Sequence, residues 1–469
     1  MSAPVIALTV GVPFLGAALL MLAPPVRLAG LLGIVSALAT FLLALCLLRG
    51  GGAGGRFLSG DVLGVHFAIL TSFVALTTAW LSRDRTGRAR TETEADLRRG
   101  RCSEAARQCL VGGTLMSLLA REPALSWIGA EIACGAACGL VALGRTDGAR
   151  QAARKLALGW ALGLALALFG TVLLTLVVSP SAGSGGWEAL RSAAPRAERG
   201  TLTIGACFLV VGYGIVASLV PGCAWLAEIA AEEQPLAAAL VLCVLPNVGL
   251  VAILRLRAVM EATPTAISLG PVLIGLGLAS LLLSAAPLGG RRDGARLLIA
   301  PTIGAVIGGR GVAAFAFGLG GAGATLAGLM QMTLLTLSGV AVMQCLSLCG
   351  ARARSGLLQT DKRVGLSLLA GLLGLTGLPP LGVFGSVFLI AVATAGRAWL
   401  LALPLSVGLA ALAAALLMDA RAIVRDEPSP LVRTRVPLSV LAPIWLELAI
   451  TLVLSLATPL AVFGWMGAL

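Results

Sequence analysis

The sequence predicts an all-α polytopic membrane protein of about fourteen transmembrane helices, and both its composition and the lengths of its apolar runs support this class. Hydrophobic residues form 58% and charged residues only 12% of the 469 residues, whereas soluble proteins carry about a quarter charged residues. Apolar runs of about 18 residues or more recur from end to end, and each is long enough to cross ~30 Å of hydrocarbon.

Each predicted span is a run of about 20 predominantly apolar residues. The chain begins without a basic segment before its first apolar run, so we interpret this run as a membrane span and not as a cleaved signal. The fourth span is the weakest, because Glu104, Arg107 and Gln108 crowd its start. The predicted spans are 3–23, 28–48, 62–81, 104–120, 123–144, 156–178, 201–222, 236–254, 267–288, 295–319, 322–349, 365–395, 398–420 and 438–466.

Basic residues lie mainly in the loops between spans and predict the orientation of the chain. The loops after odd-numbered spans are much richer in Lys and Arg than the opposite loops, and positive loops stay in the cytoplasm. The chain is therefore predicted to cross the cell inner membrane with both termini on the periplasmic side and the charged 82–103 loop in the cytoplasm. The net charge of +13 belongs to these loop residues and does not indicate nucleic-acid binding, because aromatic residues form only 4% of the sequence and offer no basic-aromatic platform. The expected surroundings are the lipid bilayer.

No motif for catalysis, metal binding or cofactor binding is found in the sequence. The glycine-rich run at Gly308, Gly309 and Gly311 lacks the strand–turn–helix context of a dinucleotide site and favours close helix packing. Ten cysteines accompany a single histidine, and pairs such as Cys134 and Cys138 are best interpreted as small core residues. We therefore expect no metal, no cofactor and no catalytic centre in this chain.

Two predicted spans contain helix-breaking residues. Pro221 ends one helix, and Pro246 with Asn247 lies inside the next. A second break is formed by Gly377, Pro379, Pro380 and Gly382. Proline removes a backbone hydrogen bond, and interrupted membrane helices often line ion paths. Because each break lies near the middle of a five-span block, the pair indicates internal repetition.

Ion handling is the chemistry that remains, because a few ionisable or polar residues lie within the apolar spans. A charged group at bilayer depth costs about 2.5–3.5 kcal/mol on insertion scales. Glu131 therefore either fixes helix packing or acts in a proton or ion relay, and His66 is either a packing residue or a relay. Arg310 could pair with Glu131 or Glu447, or reach water. The proton-relay candidates are Glu131, Lys155, Tyr213, Asn247, Arg310 and His66, and Asp419 and Glu447 are further acids within the spans.

Four stretches of the sequence combine to indicate a family. Glu131 is followed by Lys155 in SWIGAEIACGAACGLVALGRTDGARQAARK, and GDVLGVHFAILTSFVALTTAWLSRD precedes them. Two later stretches contain Pro221, Trp225, Glu232, Asn247 and Arg255, and then Gly377, Pro379, Pro380, Gly382, Phe384, Ser386 and Phe388. These stretches resemble the antiporter-like membrane subunits shared by respiratory complex I, Mrp-type cation/proton antiporters and group 4 membrane-bound hydrogenases. The resemblance is greatest to component F of the hydrogenase-4/formate hydrogenlyase type.

This resemblance implies fourteen helices with two inverted five-helix repeats, each with a broken helix near its centre. It also implies proton translocation coupled to a redox arm that other subunits carry. The implied division is an N-terminal three-helix segment (1–103), a first repeat (104–257), a second repeat (258–423) and a C-terminal helix (424–469).

The sequence departs from the family at several positions where the resemblance implies a relay residue. Valine, which cannot carry a proton, stands at the lysine position of the seventh helix and after the twelfth-helix break. The departing positions are Val216, Val387, Thr333, Leu337, Gly308 to Arg310, Cys223 and Ala230. The central hydrophilic axis is therefore predicted to be largely dismantled, although Glu131 and Lys155 persist.

The leading hypothesis is an antiporter-like, non-catalytic subunit of a group 4 hydrogenase-like or complex I-like assembly, with other membrane and redox subunits as partners. Its own proton path is predicted to be degenerate. One alternative is an active proton channel with a rerouted path through Glu131, Lys155, Tyr213 and Arg310. The other is a free-standing secondary transporter for a small solute on the same fold.

Overall fold

The computed structural model is built from α-helices, which confirms the all-α membrane class predicted from the sequence. Among the described residues, strand pairing is limited to a bridge between Leu58 and Ala120. The structure describes residues 2–22, 26–49, 54–55, 57–88, 94–144, 146–177, 186–223, 235–263, 268–284, 299–348, 358, 361–425 and 436–466.

The helices follow one another in the order of the predicted spans. They are α1 (Ser2–Met21), α2 (Val26–Cys46), α3 (Val62–Arg88), α4 (Glu94–Leu118), α5 (Pro123–Ala142), α6 (Asp147–Val177), α7 (Trp187–Ala193), α8 (Arg199–Val216), α9 (Pro235–Ala238), α10 (Asn247–Glu261), α11 (Leu269–Ser284), α12 (Ile299–Leu319), α13 (Ala322–Leu348), α14 (Lys362–Thr376), α15 (Phe384–Arg397), α16 (Ala402–Arg425) and α17 (Leu438–Met466). Short 3₁₀ helices cover Leu47–Arg49, Ala194–Arg196 and Trp399–Leu401.

Eleven helical stretches of the described chain are long and apolar enough to cross a membrane. The other three predicted spans fall on α4, which is more polar, on α11, which is shorter, and on the interrupted pair α14 and α15. The predicted count of about fourteen therefore agrees with the described helices, although some bounds differ. α6, for example, begins at Asp147, well before the span predicted to start at residue 156.

The polar residues at the start of α4 are paired inside the helix bundle. Glu104 accepts a hydrogen bond of 2.7 Å from Ser82 Oγ and forms an ion pair with Arg107. The Gln108 amide donates to the carbonyl oxygen of Gly33 at 3.1 Å. Because α2 and α3 satisfy these groups, α4 packs among apolar helices although its own composition does not identify it as a span.

The chain divides into two compact units. Unit 1 consists of Met1–Ala217 and Val244–Ser268, and unit 2 consists of Ser218–Cys243 and Leu269–Leu469. The four-part division into repeats and flanking segments, predicted from the resemblance, is a different partition and stays a prediction.

Glycines allow neighbouring helices to approach closely in each unit. In unit 1, a Cβ atom on Gly129 of α5 would lie 2.4 Å from the backbone nitrogen of Ser117 on α4. In unit 2, a Cβ atom on Gly277 or on Gly311 would lie 2.5 Å from the carbonyl oxygen of the other residue. The interpretation of the glycine-rich run around Gly311 as a helix-packing surface is therefore confirmed.

The first interruption is longer than the sequence predicts. α8 ends at Val216, before Pro221, and Ser218 in the following turn has a φ of 61°. Trp225 and Glu232 lie outside the described residues. The next helix is interrupted already at Ala239–Val244, which forms a π-helix, and α10 begins only after Pro246.

The second interruption lies where it is predicted. α14 ends at Thr376 and is capped by Gly377, whose φ of 75° lies in the left-handed region that favours glycine. The Pro379–Pro380 peptide is cis, and α15 begins at Phe384. The backbone nitrogen of Val383 donates to the carbonyl oxygen of Gly374 at 2.9 Å, so the chain folds back onto the end of α14 before it continues.

Candidate functional site

Arg310 occupies the centre of unit 2. It lies on α12, its side chain is only 1% exposed, and its Nη2 atom donates a hydrogen bond to the carbonyl oxygen of Leu242. Leu242 belongs to the π-helix, where the hydrogen bonds change from the i→i+4 to the i→i+5 pattern. A buried cation therefore stabilises a backbone carbonyl at the helix interruption.

A second donor reaches the same interruption from α13. The hydroxyl of Thr336 lies 3.1 Å from the carbonyl oxygen of Cys243 and 2.8 Å from that of Met332 in its own helix. A Cβ atom on Gly339 would lie 2.8 Å from Cys243 Sγ, which shows how closely α13 packs on the π-helix. Side chains from α12 and α13 thus hold the interrupted turn together.

Gln331 connects α12 and α13 to the second interruption. The Ser386 hydroxyl, in the first turn of α15, donates to Gln331 Oε1 at 2.6 Å. Gln331 Nε2 donates to the carbonyl oxygen of Gly309 at 3.4 Å. The resemblance singles out Ser386, but sequence reasoning missed Gln331, because an isolated amide in an apolar helix carries no recognisable pattern.

A buried carboxylate on the last helix completes the polar interior of unit 2. Glu447 and Gln344 are both fully buried, and Gln344 Nε2 donates to Glu447 Oε1 at 3.0 Å. Cys243 interacts electrostatically with both Arg310 and Glu447. Among the described residues, Arg310 and Glu447 form no direct ion pair: Arg310 donates to a backbone carbonyl, and Glu447 accepts from an amide.

Apolar or hydroxyl side chains fill four of the positions where the resemblance implies relay residues. Leu337 is 2% exposed and Val216 is fully buried. Val387 is half-buried in α15, and the Thr333 hydroxyl donates to the carbonyl oxygen of Leu329 within its own helix. None of these four side chains can take up or release a proton near neutral pH.

Tyr213 is the central polar side chain of unit 1. It is 1% exposed and lies close to Ser126 without meeting the geometry of a hydrogen bond. It also interacts electrostatically with Cys134 and Arg255. Asn247, the first residue of α10, is 2% exposed in the same unit.

The remaining three relay candidates lie on the exterior of unit 1. Glu131 on α5, Lys155 on α6 and His66 on α3 all have exposed side chains. The helix faces that carry Glu131 and His66 therefore point away from the packed core, and a relay role for either residue stays a prediction. Cys134 lies directly inside Glu131 and interacts with it electrostatically. The side chain of Asp419 lies outside the described residues.

An ion pair that sequence reasoning missed lies at one end of unit 1. Arg255 donates to both carboxylate oxygens of Asp61 at 2.9 and 3.1 Å, and also to the carbonyl oxygens of Leu118 and Ala120. The available signal was an acid directly before an apolar span and an arginine within another one. The pair forms part of the wall of a pocket of about 460 Å³.

The described residues contain no group of three or more His, Cys, Asp or Glu side chains that could hold a metal ion.

The sequence is similar to a known family and to a curated relative. The family model described as NADH:quinone oxidoreductase/Mrp antiporter, TM, matches residues 120–413. The hydrogenase-4 component F homolog of Methylacidiphilum infernorum (isolate V4) is 31% identical over 427 residues, which is 89% of each chain.

The fold is similar to that of chains in three solved respiratory or antiporter complexes. A chain of the membrane-bound sulfane sulfur reductase, an archaeal respiratory membrane complex, aligns with a TM-score of 0.82 at 18% identity, covering 97% of this chain and 95% of that one. A chain of respiratory complex I from Thermus thermophilus gives 0.80 at 20% identity, covering 97% and 96%. A chain of the Mrp complex from Dietzia sp. DQ12-45-1b gives 0.76 at 17% identity, covering 97% and 95%.

Proposed function

The chain belongs to the NADH:quinone oxidoreductase/Mrp antiporter transmembrane family, and on this premise we propose that it serves a redox-driven membrane complex as an antiporter-like subunit with a degenerate proton path of its own. The assembly is of the group 4 hydrogenase or complex I type, because the relatives with these names match nearly the whole chain. Other subunits carry the redox chemistry, and this chain contributes a helical frame in the membrane.

The main evidence that the proton path is degenerate is the buried guanidinium of Arg310. Arginine keeps its proton in proteins, so Arg310 cannot pass a proton on by losing and regaining one. Its charge is also fixed on the Leu242 carbonyl in a buried, low-dielectric region, where it opposes the entry of a proton or a metal cation. Since Leu337 and Val387 carry no ionisable group, unit 2 acts as a structural block.

The exposed face of α5 supports a membrane partner. Glu131 lies in the middle of this helix and points outward, together with Ile128, Ile132 and the glycines Gly135 and Gly139. A carboxylate facing lipid at this depth costs about 2.5–3.5 kcal/mol on insertion scales, and a polar partner removes that cost. The glycines leave open space in which a second helix can approach closely. We therefore assign this face to a neighbouring membrane subunit.

The location and orientation are part of the same proposal. The protein is a multi-pass membrane protein, and the excess of Lys and Arg in the loops after odd-numbered spans favours an inner-membrane protein with both termini on the periplasmic side.

Redox-driven proton uptake by proteoliposomes that contain the whole complex tests the degenerate path. At matched electron-transfer rates, Glu447→Gln and Arg310→Gln are expected to keep the wild-type number of protons per electron, as read with a pH-sensitive dye. The presence of all subunits after affinity purification of each variant shows that assembly is intact. A lower proton-to-electron ratio in either assembled variant contradicts the proposal, and purification of the chain without redox subunits contradicts the assignment to a complex.

A second candidate function is an active proton path through unit 1, which the position of Tyr213 favours. Its buried side chain lies in the same unit as the buried Cys134, which is about one helical turn from the exposed Glu131 on α5. Tyr213→Phe removes the hydroxyl and keeps the ring, and Glu131→Gln removes the charge and keeps the shape. If both variants lower proton uptake per electron in an assembled complex, this path replaces the degenerate one; if neither does, it is excluded.

A further inference from the structure

A charged pocket of about 460 Å³ opens at the end of unit 1 where α3 begins and α10 ends. It is separate from the interior groups considered for proton transfer. Its charged lining consists of Asp61, Arg121, Glu188, Arg191 and Arg255, and Trp187, Ala258 and Val259 supply apolar lining.

The arginines of this pocket are not equally available to a ligand. Arg255 is held by Asp61, and its side chain is only 8% exposed. Arg121 donates to the carbonyl oxygen of Gly55 at 3.4 Å, its one side-chain hydrogen bond within the described residues. The Arg191 side chain is exposed and has no hydrogen-bond or ion-pair partner within the described parts of the chain. Three arginines against two carboxylates leave one net positive charge, and Arg121 and Arg191 are the two cations that can turn to an incoming group.

The surroundings of the pocket indicate the boundary between membrane and water. The apolar span of α3 begins at Val62, which is 85% exposed, and Phe57 in the preceding loop is 56% exposed. Trp187 lines the same pocket from α7, and its indole nitrogen is buried without a hydrogen-bond partner among the described residues. Tryptophan and exposed apolar side chains at the end of a span are typical of the headgroup level of a bilayer. These apolar side chains can contact the acyl chains of a lipid, whereas they contribute nothing to the binding of a small soluble anion.

We propose that this pocket binds the headgroup of a membrane phospholipid, with its phosphate on Arg121 and Arg191. A guanidinium offers two parallel N–H donors that match two oxygens of a phosphate, and such charge-assisted hydrogen bonds are among the stronger ones in proteins. The carboxylate of Glu188 remains at the rim to accept hydrogen bonds from a headgroup amine or hydroxyl. The acyl chains lie along the exposed side chains of Phe57 and Val62.

The test is lipid retention by the purified complex, measured by native mass spectrometry after delipidation in detergent. The wild type is titrated with phosphatidylglycerol, with phosphatidylethanolamine, with diacylglycerol of the same chain length and with inorganic phosphate. The variant Arg121→Gln/Arg191→Gln removes both proposed phosphate ligands, and it keeps the backbone hydrogen bond from Trp187 to the Arg121 carbonyl. Arg196→Gln, an exposed arginine of the same loop that does not line the pocket, is the matched control.

The wild type and Arg196→Gln are expected to retain one phospholipid more than the double variant, whose affinity for that lipid falls about tenfold or more. Diacylglycerol and inorganic phosphate are expected not to compete with it at equal concentration. Retention of the lipid by the double variant overturns the site, as does an equal loss in Arg196→Gln. Competition by inorganic phosphate overturns the lipid assignment, and competition by diacylglycerol shows that the phosphate is not recognised. The competition experiment uses the wild type alone, so it can refute the proposal even if a variant misfolds.

Discussion

The Nη2 atom of Arg255 lies 2.9 Å from Oδ1 and 3.1 Å from Oδ2 of Asp61, two residues that are 194 positions apart in the chain. The same guanidinium donates to the carbonyl oxygens of Leu118 and Ala120. One side chain on α10 therefore joins the start of α3 to the end of α4. The two partners differ in burial, since 8% of the Arg255 side chain and 41% of the Asp61 side chain is exposed.

This difference in burial predicts an unequal cost of removing either charge. Arg255→Gln leaves two carbonyl oxygens and a carboxylate short of donors and is expected to lower the free energy of unfolding by about 2–3 kcal/mol. Asp61→Asn keeps one acceptor, and water reaches the site, so its cost is expected to be about 1 kcal/mol or less. Thermal denaturation of the purified complex, followed by the solubility of this chain, measures both. Equal losses would show that the carbonyl contacts contribute nothing.

The buried amide and carboxylate of Gln344 and Glu447 give a second prediction. Gln344→Leu leaves a buried carboxylate without its amide donor and is expected to cost about 1–3 kcal/mol. Glu447→Gln keeps an oxygen acceptor and is expected to cost less than about 1 kcal/mol. The double variant Gln344→Leu/Glu447→Leu is expected to be less unstable than the sum of its single changes, because neither partner is left alone. The same denaturation assay measures this double-mutant cycle, and simple additivity would contradict a direct interaction.

The second helix interruption yields a graded prediction for its glycines. A Cβ atom on Gly382 would lie 1.8 Å from the carbonyl oxygen of Gly374, so Gly382→Ala is expected to cost more than about 3 kcal/mol. A Cβ atom on Gly377 would lie 3.6 Å from its nearest neighbour, Val387 Cγ2, which is an ordinary contact. The expected cost of Gly377→Ala is therefore backbone strain of about 1 kcal/mol. The control is Gly275→Ala on α11, where a Cβ atom meets open space. This change is expected to stabilise the chain by up to about 1 kcal/mol, and similar thermal midpoints for all three variants would contradict the ranking.

Glu198 at the start of α8 gives a pH prediction. Its carboxylate accepts hydrogen bonds from the backbone nitrogens of Gly200 and Thr201 and from the Thr201 hydroxyl. These bonds, led by that of the Thr201 hydroxyl, hold the pKa of Glu198 below its usual value. A lowered folded-state pKa means that the cap stabilises the helix above the unfolded-state pKa of about 4.3 and loses this effect as the pH falls through the folded-state pKa.

The measurement is the difference in thermal midpoint between the wild type and Glu198→Gln as a function of pH. The wild type is expected to be the more stable above about pH 5, and the difference is expected to shrink on acidification below about pH 4. Glu198→Asp, which retains a titrating cap, is expected to follow the wild type. A difference that grows on acidification would contradict the capping role.

The helical class, the approximate spans and the second interruption could be predicted because they depend on local composition. An 18-residue apolar run has few alternatives to a membrane helix. Gly377 and Gly382 indicate a break, because glycine readily adopts the positive φ angles found at both positions. The first interruption extends further than predicted, because the π-helix begins at Ala239, before the predicted break at Pro246, in a run of small and apolar residues that contains no breaker. Its cause is tertiary, since Arg310 and Thr336 stabilise its carbonyl groups from other helices.

The polar residues of the candidate site could be identified by type, whereas their positions could not. Glu131 and His66 lie on outward faces, and nothing in a uniformly apolar helix tells which face packs inward. The roles of Gln331 and Gln344 depend on their hydrogen bonds to Ser386 and Glu447, which are distant in sequence. Amide side chains carry no charge that would mark them in a sequence, yet they make the contacts that connect the helices of unit 2.

The pairing of Glu104 with Ser82, and of Gln108 with the Gly33 carbonyl, bears on biosynthesis. Both partners of α4 belong to helices that the ribosome has already made when α4 emerges. Because a charged side chain at bilayer depth is costly, α4 is expected to insert together with α2 and α3, which satisfy its polar groups. A substitution that removes either contact is therefore expected to lower the yield of correctly inserted protein.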